Sequence, residues 1–202
     1  MTGSDIIYPH TQGPFCEVRY ARGTSLSSPL VAGHANLVRE YFLRGFYPSG
    51  QATDSDGFSP SGALLKAMLV SSGSALKRIV YDKNETQSLT QTSFADNNQG
   101  YGRVELDDTM AFVNCTLDGL TLFVKGSSDP SSEHYAELAG GDQPHTYTFR
   151  TVADTSLRSV RVVLAYTVRT PAMPIHGSLR CVFCRTLTSS VVPQLPWRTT
   201  ST

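Results

Sequence analysis

The residues that could do chemistry lie in one short segment, Gly23 to Gly33, which reads GTSLSSPLVAG. In this segment a loop delivers the hydroxyl of Ser25 to the start of an apolar helix. There the backbone N–H of Ser25 and the positive end of the helix dipole would face a developing oxyanion. Gly23 would allow the backbone to approach a neighbour or a substrate closely. This is a good position for a nucleophile, and the alternative is a serine that only caps the start of the helix.

Two helices are expected to position this segment. Residues 26–43 carry apolar or small residues on almost every face, which predicts a helix buried through most of its length and ended by Gly45. Residues 61–70 predict a second helix, with Ser59 as N-cap and Pro60 at its first position. The residues expected to seat the end of the first helix are aromatic: Tyr41, Phe42, Phe46 and Tyr47.

The character of the chain changes near residue 116. Beyond it, residues 120–124, 145–152 and 160–167 are rich in β-branched and aromatic residues and are separated by Gly, Pro, Asp and Ser clusters. This pattern predicts an antiparallel sandwich or jelly roll. Residues 171–202 mix Ser, Thr, Arg and Pro without clear alternation and are expected to be an irregular or degenerate tail.

The segment GTSLSSPLVAG resembles the serine motif of the subtilisin-like (S8) serine peptidases, GTSMASPxxAG. The differences are Leu26 in place of Met and Ser27 in place of Ala. Residues 5–9 look like the strand and turn ahead of the family's serine loop, and residues 61–67 look like its next core helix. Residues 100–106 are similar to its closing segment. The resemblance covers roughly residues 1–112.

The resemblance implies an α/β fold. Residues 1–116 would be the C-terminal portion of a subtilisin-like three-layer parallel-sheet domain. Residues 117–170 would form an antiparallel β-sandwich or jelly-roll-like domain, followed by the tail. Within that domain residues 162–167 resemble a strand of the jelly-roll module that some subtilases carry, with Val168 in place of its Asp.

The resemblance also implies that Ser25 is the acylating nucleophile of an Asp/His/Ser triad, with Gly23 and Thr24 in the substrate or oxyanion loop. In this family the Asp and the His precede the Ser along the chain. The only upstream histidine here, His10, lacks the family's His-Gly-Thr context. We therefore expect a serine endopeptidase present as a fragment that is inactive alone. Its partners would be a polypeptide substrate and a missing N-terminal catalytic portion.

A second hypothesis is a non-catalytic β-sandwich interaction module that carries a protease remnant. The charge balance excludes binding to nucleic acid or to an anionic membrane surface, because 17 Lys and Arg residues are matched by 17 Asp and Glu residues. Such binding requires a clustered excess of Lys and Arg, which a chain of zero net charge lacks. No apolar run approaches the roughly 20 residues of a membrane span. The chain shows no signal peptide, yet the resemblance implies a secreted or secretory-pathway protein, and acceptor triplets at Asn84 and Asn114 agree with that.

No metal or cofactor site is expected. Cys181 and Cys184 form a lone Cys-x-x-Cys pair with no second pair to complete four zinc ligands. The turn containing Asp54 and Asp56 has Leu65 where an EF-hand would have its Glu, so a polar surface turn is expected. A structural calcium would come by family resemblance alone, with no residue assigned. The other histidines are expected in structural or solvated positions: His34, His134, His145 and His176.

Overall fold

The computed structural model describes residues 6–10, 17–21, 23–82, 85–88, 95, 97–115, 120–136, 147, 160–168 and 178–187. The two helices are α1 (Thr24–Leu43) and α2 (Gly62–Ser71). The strands are β1 (Ile6–His10), β2 (Glu17–Ala21), β3 (Gly73–Ser74), β4 (Arg78–Asp82), β5 (Glu85–Ser88), β6 (Arg103–Val104), β7 (Val160–Val168) and β8 (Ser178–Leu187).

The helix expected over residues 26–43 is confirmed as α1, and it ends as expected at Gly45. The Gly45 N–H donates to the Phe42 carbonyl at 3.1 Å, and the Phe46 N–H reaches back to the Tyr41 carbonyl at 3.1 Å. Gly45 has a φ of 64°, which favours glycine. A Cβ at this position would also collide with the carbonyl oxygen of Thr53.

The second helix is confirmed as α2, but the expected cap at Ser59 is wrong. The cap is Ser61, whose Oγ accepts the Leu64 N–H at 3.1 Å. The Ser61 N–H is held by the carbonyl of Gly126 at 2.8 Å, while Pro60 forms a bridge with Ser127. Long-range pairing therefore starts the helix two residues later than local capping preferences suggest.

The core forms where the carboxyl end of α1 meets α2 and the loops around them. The rings of Tyr41 and Phe42 lie edge to face with centroids 5.2 Å apart, and Phe58 lies 5.0 Å from Phe42. The expected role of the aromatic residues at the end of the first helix is confirmed. The buried core residues are Val38, Tyr41, Phe42, Tyr47, Phe58, Leu64, Met68, Leu106, Met110 and Val124.

The expectation that the first helix is buried through most of its length is wrong. Val38, Tyr41 and Phe42 are buried, whereas Leu30 and Leu37 are 47% and 55% exposed. The physical reason is that the core covers α1 only at its carboxyl end. Among the described residues, Leu26 and Val31 nearer its start are only partly covered, and Leu30 and Leu37 are left exposed.

Every strand pair in the described part of the chain is antiparallel. The pairs are β1 with β2, β3 with β6, β4 with β5, and β7 with β8, each a two-stranded sheet. The parallel sheet and the three-layer domain therefore stay predictions. Residues 120–124, expected to be a strand, form none; Val124 lies in the core instead, and its N–H donates to the Tyr47 hydroxyl at 3.4 Å.

The strand expected over residues 160–167 is confirmed as β7. Its partner β8 lies inside residues 171–202, which were expected to be irregular, so that expectation is wrong for residues 178–187. Apolar residues do alternate locally there, at Leu179, Cys181 and Phe183. Because the rest of residues 171–202 is mostly polar, this short alternation does not stand out in the tail as a whole. Residues 145–146 and 148–152 of the remaining expected strand lie outside the described residues.

β7 lies against α2, and the side chain of Arg161 in β7 reaches the carboxyl end of that helix. The guanidinium of Arg161 donates to the carbonyl of Ser71 at 2.6 Å and to that of Gly73 at 3.1 Å. A positive charge at the carboxyl end of a helix interacts favourably with its dipole. Residues 120–136 and β7 therefore both contact the first part of the chain, and the domain limit near residue 116 stays a prediction.

The hydroxyl of Tyr41 provides a test of this core. It donates to the Ala111 carbonyl at 3.0 Å, and burial raises the pKa of Tyr41 from 10.0 to about 12. Because the unfolded chain ionises this tyrosine first, we expect stability to fall as pH rises from about 10 to about 12. Tyr41→Phe should cost about 1 kcal/mol at pH 7 and remove that part of the alkaline loss.

The measurement is urea unfolding at pH 7, 9 and 11. Tyr147→Phe is the control, since Tyr147 is 45% exposed. The same loss of stability with pH in Tyr41→Phe and the wild type would contradict the assignment.

Candidate functional site

Ser25 is the second residue of α1, and it is exposed. The N–H groups of Leu26 and Ser27 both donate to the Gly23 carbonyl, at 3.1 and 3.2 Å. The N–H groups of Thr24 and Ser25 have no intrahelical acceptor, as at any helix start. Such groups can bind an anion, and the dipole of a 20-residue helix adds to the attraction. The predicted nucleophile therefore stands beside a potential oxyanion site.

Gly23 is the N-cap residue of α1, and its backbone explains why it is glycine. Its φ is 153° with a ψ of 159°, a conformation that other residues rarely adopt. A Cβ built on Gly23 meets nothing within 4 Å. The expected close approach to a neighbour is therefore absent among the described residues, and the glycine serves the turn into the helix.

Ser27, one of the two departures from the family motif, has a structural role. It is buried, and its Oγ donates to the Gly23 carbonyl at 3.3 Å. An alanine there could not make this contact. Ser27 thus ties the first turn of α1 to the residue that precedes it.

Pro29 lies inside α1, four residues after Ser25. Because proline has no N–H, the Ser25 carbonyl lacks the donor that an ordinary helix would supply. Ser25, Pro29 and Ala32 follow one another on one face of the helix and are all exposed. The face that presents the serine is thus made of small residues, which leave room for a large ligand or another chain.

An open pocket of about 460 Å³ lies beside this face. Thr24 and Ser28 bring hydroxyl groups to it, and its other side chains are apolar. α2 reaches it through a single residue. The lining residues are Thr24, Ser28, Val31, Ala32, Ala35 and Leu69.

The structure does not bring a general base to Ser25 within the described residues. His34 lies about 14 Å further along α1. Its Nδ1 is 2.7 Å from the Leu30 carbonyl of the same helix, in agreement with the structural position expected for it. His10 lies in β1, and its side chain is outside the described part of the chain, as are His145 and His176.

His134 was expected in a solvated position, and that expectation is wrong. Its ring lies 4.5 Å from the ring of Phe58 and 5.4 Å from that of Tyr47. Its Nδ1 is buried without a hydrogen-bond partner, and its Nε2 lies 3.4 Å from the Glu133 carboxylate. Its carbonyl accepts the N–H groups of Gly126 and Ser127 at 2.6 and 3.0 Å.

The sequence does not predict the environment of His134, whose ring is partly buried and has a nitrogen that is unpartnered among the described residues. His134 also lines a smaller pocket of about 230 Å³ with Asp56 and Glu133. No local pattern around residue 134 marks burial, because Phe58 and Tyr47 come from distant parts of the sequence. Only the fold brings these rings together.

Among the described residues, no group of three or more His, Cys, Asp or Glu is placed to hold a metal ion. Asp54 and Asp56 lie in a short 3-10 turn. Cys181 and Cys184 lie in β8, where the side chains are outside the described atoms. In the same described part, no helix is both long and apolar enough to cross a bilayer.

Comparison with known proteins gives partial similarity to three curated proteins of Dictyostelium discoideum. One is "Serine protease/ABC transporter B family protein tagD", 35% identical over 54 residues, which is 27% of this chain and 3% of that protein. The tagB protein of the same description is 24% identical over 91 residues, 43% of this chain and 5% of its own length. The tagA protein is 24% identical over 135 residues, 59% of this chain and 7% of its own length.

The chain therefore spans less than a tenth of the length of these relatives. No protein-family model matches the chain, and no solved structure matches it. The names of the relatives indicate a serine protease family, and so a hydrolase at a coarse level.

The first turn of α1 allows a matched pair of substitutions. We expect Ser25→Ala to leave the free energy of unfolding within about 0.5 kcal/mol of the wild type, since Ser25 is exposed. Ser27→Ala should cost about 1 kcal/mol, because it removes a buried hydrogen bond. Urea unfolding measures both. Equal effects would show that Ser27 does not hold the turn.

The open apolar surface of α1 gives a second prediction. Replacing Leu30 and Leu37 together by Lys should lower the fluorescence of a bound hydrophobic dye and reduce self-association, with little change in melting temperature. Dye titration and analytical ultracentrifugation measure the two effects. Ser28→Lys with Asn36→Lys is the control, since it adds the same charge at exposed polar positions of the helix. An equal drop in dye fluorescence and self-association in the control variant would contradict the prediction.

Proposed function

We propose that this chain is the nucleophile-bearing part of a subtilisin-like serine endopeptidase, with Ser25 forming the acyl-enzyme. The observation that carries the proposal is the placement of Ser25, an exposed hydroxyl in the first turn of a 20-residue helix. The serine protease names of the relatives support a hydrolase of this kind. The finer subtilisin-like assignment rests on the segment GTSLSSPLVAG.

The geometry suits acyl transfer. In the proposed reaction the Ser25 Oγ attacks the carbonyl carbon of a peptide bond, and its proton passes to a general base. Negative charge then develops on the carbonyl oxygen, where the N–H of Ser25 can donate to it. The C–N bond breaks, the amine leaves with a proton from the protonated base, and water hydrolyses the acyl-enzyme.

The general base must come from outside the described residues. Residues 24–38 contain no Asp, Glu, Lys or Arg, and the one histidine among them, His34, bonds to its own helix. Loss of a triad partner costs orders of magnitude in rate. We therefore propose that an upstream catalytic portion supplies the His and the Asp, and that the chain alone is inactive.

The exposed surface of α1 agrees with such a missing portion. The serine-bearing face is small and uncharged, and Leu30 and Leu37 are exposed on a different face of the same helix. An apolar surface of this kind favours covering by another part of the protein. In the subtilisin-like fold proposed here, the cover would be the parallel sheet of the catalytic domain.

The rest of the proposal concerns the second half of the chain and its location. The β7–β8 hairpin is antiparallel, as a jelly-roll-like domain requires, although two strands do not define one. Polypeptides would be the substrate. A place in the secretory pathway or outside the cell follows from the family resemblance and from the acceptor triplets at Asn84 and Asn114.

Active-site labelling tests the proposal. A fluorophosphonate probe should not label recombinant residues 1–202, since no base activates Ser25 there. In the native source it should label a larger species that contains this sequence, and Ser25→Ala in that species should abolish labelling. Ser49→Ala is the control, because Ser49 is an exposed serine outside α1 and the pocket beside it. It should keep the label.

Two outcomes would contradict the proposal in different ways. Labelling of the 22.0 kDa chain that disappears in Ser25→Ala would show that Ser25 is activated without an upstream portion. Failure of any native species containing this sequence to react would remove the peptidase function and favour an interaction module.

A further inference from the structure

The turn at residues 113–115 carries a motif that the proposed peptidase does not use. Asn114, Cys115 and Thr116 form an Asn-x-Thr acceptor triplet. Asn114 is exposed, and its neighbours Val113 and Cys115 are exposed as well. The Asn114 side chain can therefore carry a bulky group without displacing core residues.

The base of this turn is anchored to the core. The Cys115 N–H donates to the Phe112 carbonyl at 3.2 Å, and the Val113 N–H donates to the Gly50 carbonyl at 3.1 Å. The ring of Phe112 lies 5.3 Å from that of Tyr41. The turn is thus fixed at its base and open to solvent at Asn114.

We propose that Asn114 is an N-glycosylation site. In this reaction the side-chain amide nitrogen of Asn114 bonds to the anomeric carbon of a lipid-linked oligosaccharide. The bond from that carbon to the lipid diphosphate breaks, the lipid diphosphate leaves, and the amide loses one proton. The inference requires passage through the secretory pathway and does not depend on any reactivity of Ser25.

The position of Asn114 is compatible with the proposed site. The turn packs through Phe112 near Tyr41, which lies 16 residues after Ser25 on α1. This separation corresponds to about 24 Å along the helix axis. A glycan on Asn114 would leave the serine and the open face of α1 accessible.

The glycan also has a physical role at this turn. Cys115 is a free, exposed cysteine, and Val113 is 41% exposed beside it. In an oxidising compartment an accessible thiol forms disulfides with other chains. The glycan on Asn114 shields Cys115 from such contacts.

Asn114 has a φ of 65°, and asparagine is also favoured in that conformation without any glycan. The test must separate these two reasons for an asparagine. Thr116→Ala removes the acceptor triplet and leaves Asn114 in place, whereas Thr116→Ser keeps the triplet. Asn84→Gln removes the other triplet of the chain.

The experiment expresses the full 202-residue chain behind a secretory signal in cultured eukaryotic cells. We expect a glycan on Asn114 that peptide N-glycosidase removes from the wild type, Thr116→Ser and Asn84→Gln, assigned to Asn114 by peptide mass spectrometry. Thr116→Ala should lack it. Chains retained in the cell are analysed with the secreted ones, so a poorly exported variant still gives a result. An unmodified Asn114 in the wild type would overturn the proposal.

Shielding is measured on non-reducing gels. Thr116→Ala should form more disulfide-linked dimer than Thr116→Ser, and Cys115→Ser in the Thr116→Ala background should abolish the difference. Equal dimer in the two Thr116 variants would overturn the shielding role. Neither readout depends on fluorophosphonate labelling, so failure here is distinguishable from failure of the peptidase proposal.

Discussion

Burial of aromatic rings at the carboxyl end of α1 is the interaction on which the rest of the described structure depends. Tyr41 and Phe42 contact rings and side chains from the loops that follow α1, from α2 and from residues 106–112. Each fully buried ring contributes about 1.5–3 kcal/mol. In the described part of the chain, no comparable aromatic packing lies at the other end of the helix, so the aromatic core is the main contact that orients α1.

The candidate nucleophile lies at the end of this helix that the aromatic core does not reach. The position of Ser25 is set by the continuous helix α1 and by the hydrogen bonds that Ser27 donates to the Gly23 carbonyl in its first turn. The fold thus presents Ser25 beside helix N–H groups that can bind an anion, while the proposed acyl transfer needs a general base that the described residues do not supply. The side chains around the serine are small and uncharged, as expected of a surface that another part of the protein covers.

Local signals in the sequence predicted both helices and the end of α1, because apolar periodicity and the glycine stop act over a few residues. They failed at the cap of α2, where Ser61 is held by Gly126 from a distant segment. They also failed at His134, whose burial depends on Phe58 and Tyr47. The candidate serine could be predicted from its motif, whereas its open surroundings could not, because covering of α1 depends on which elements pack against it.

The contact between Arg161 and the end of α2 has a consequence for synthesis of the chain. The guanidinium binds the carbonyl of Ser71, a residue 90 positions earlier. At about 5–20 residues per second, a ribosome would add Arg161 roughly 5–18 s after Ser71. During this interval the carbonyl of Ser71 must be solvated by water or held by a transient partner, whereas those of Met68, Val70 and Leu69 are already bonded by Ser72. The nascent protein therefore passes through a stage in which its second helix is capped at both ends, by Ser61 and Ser72, but still lacks the positive charge that Arg161 brings to its carboxyl end.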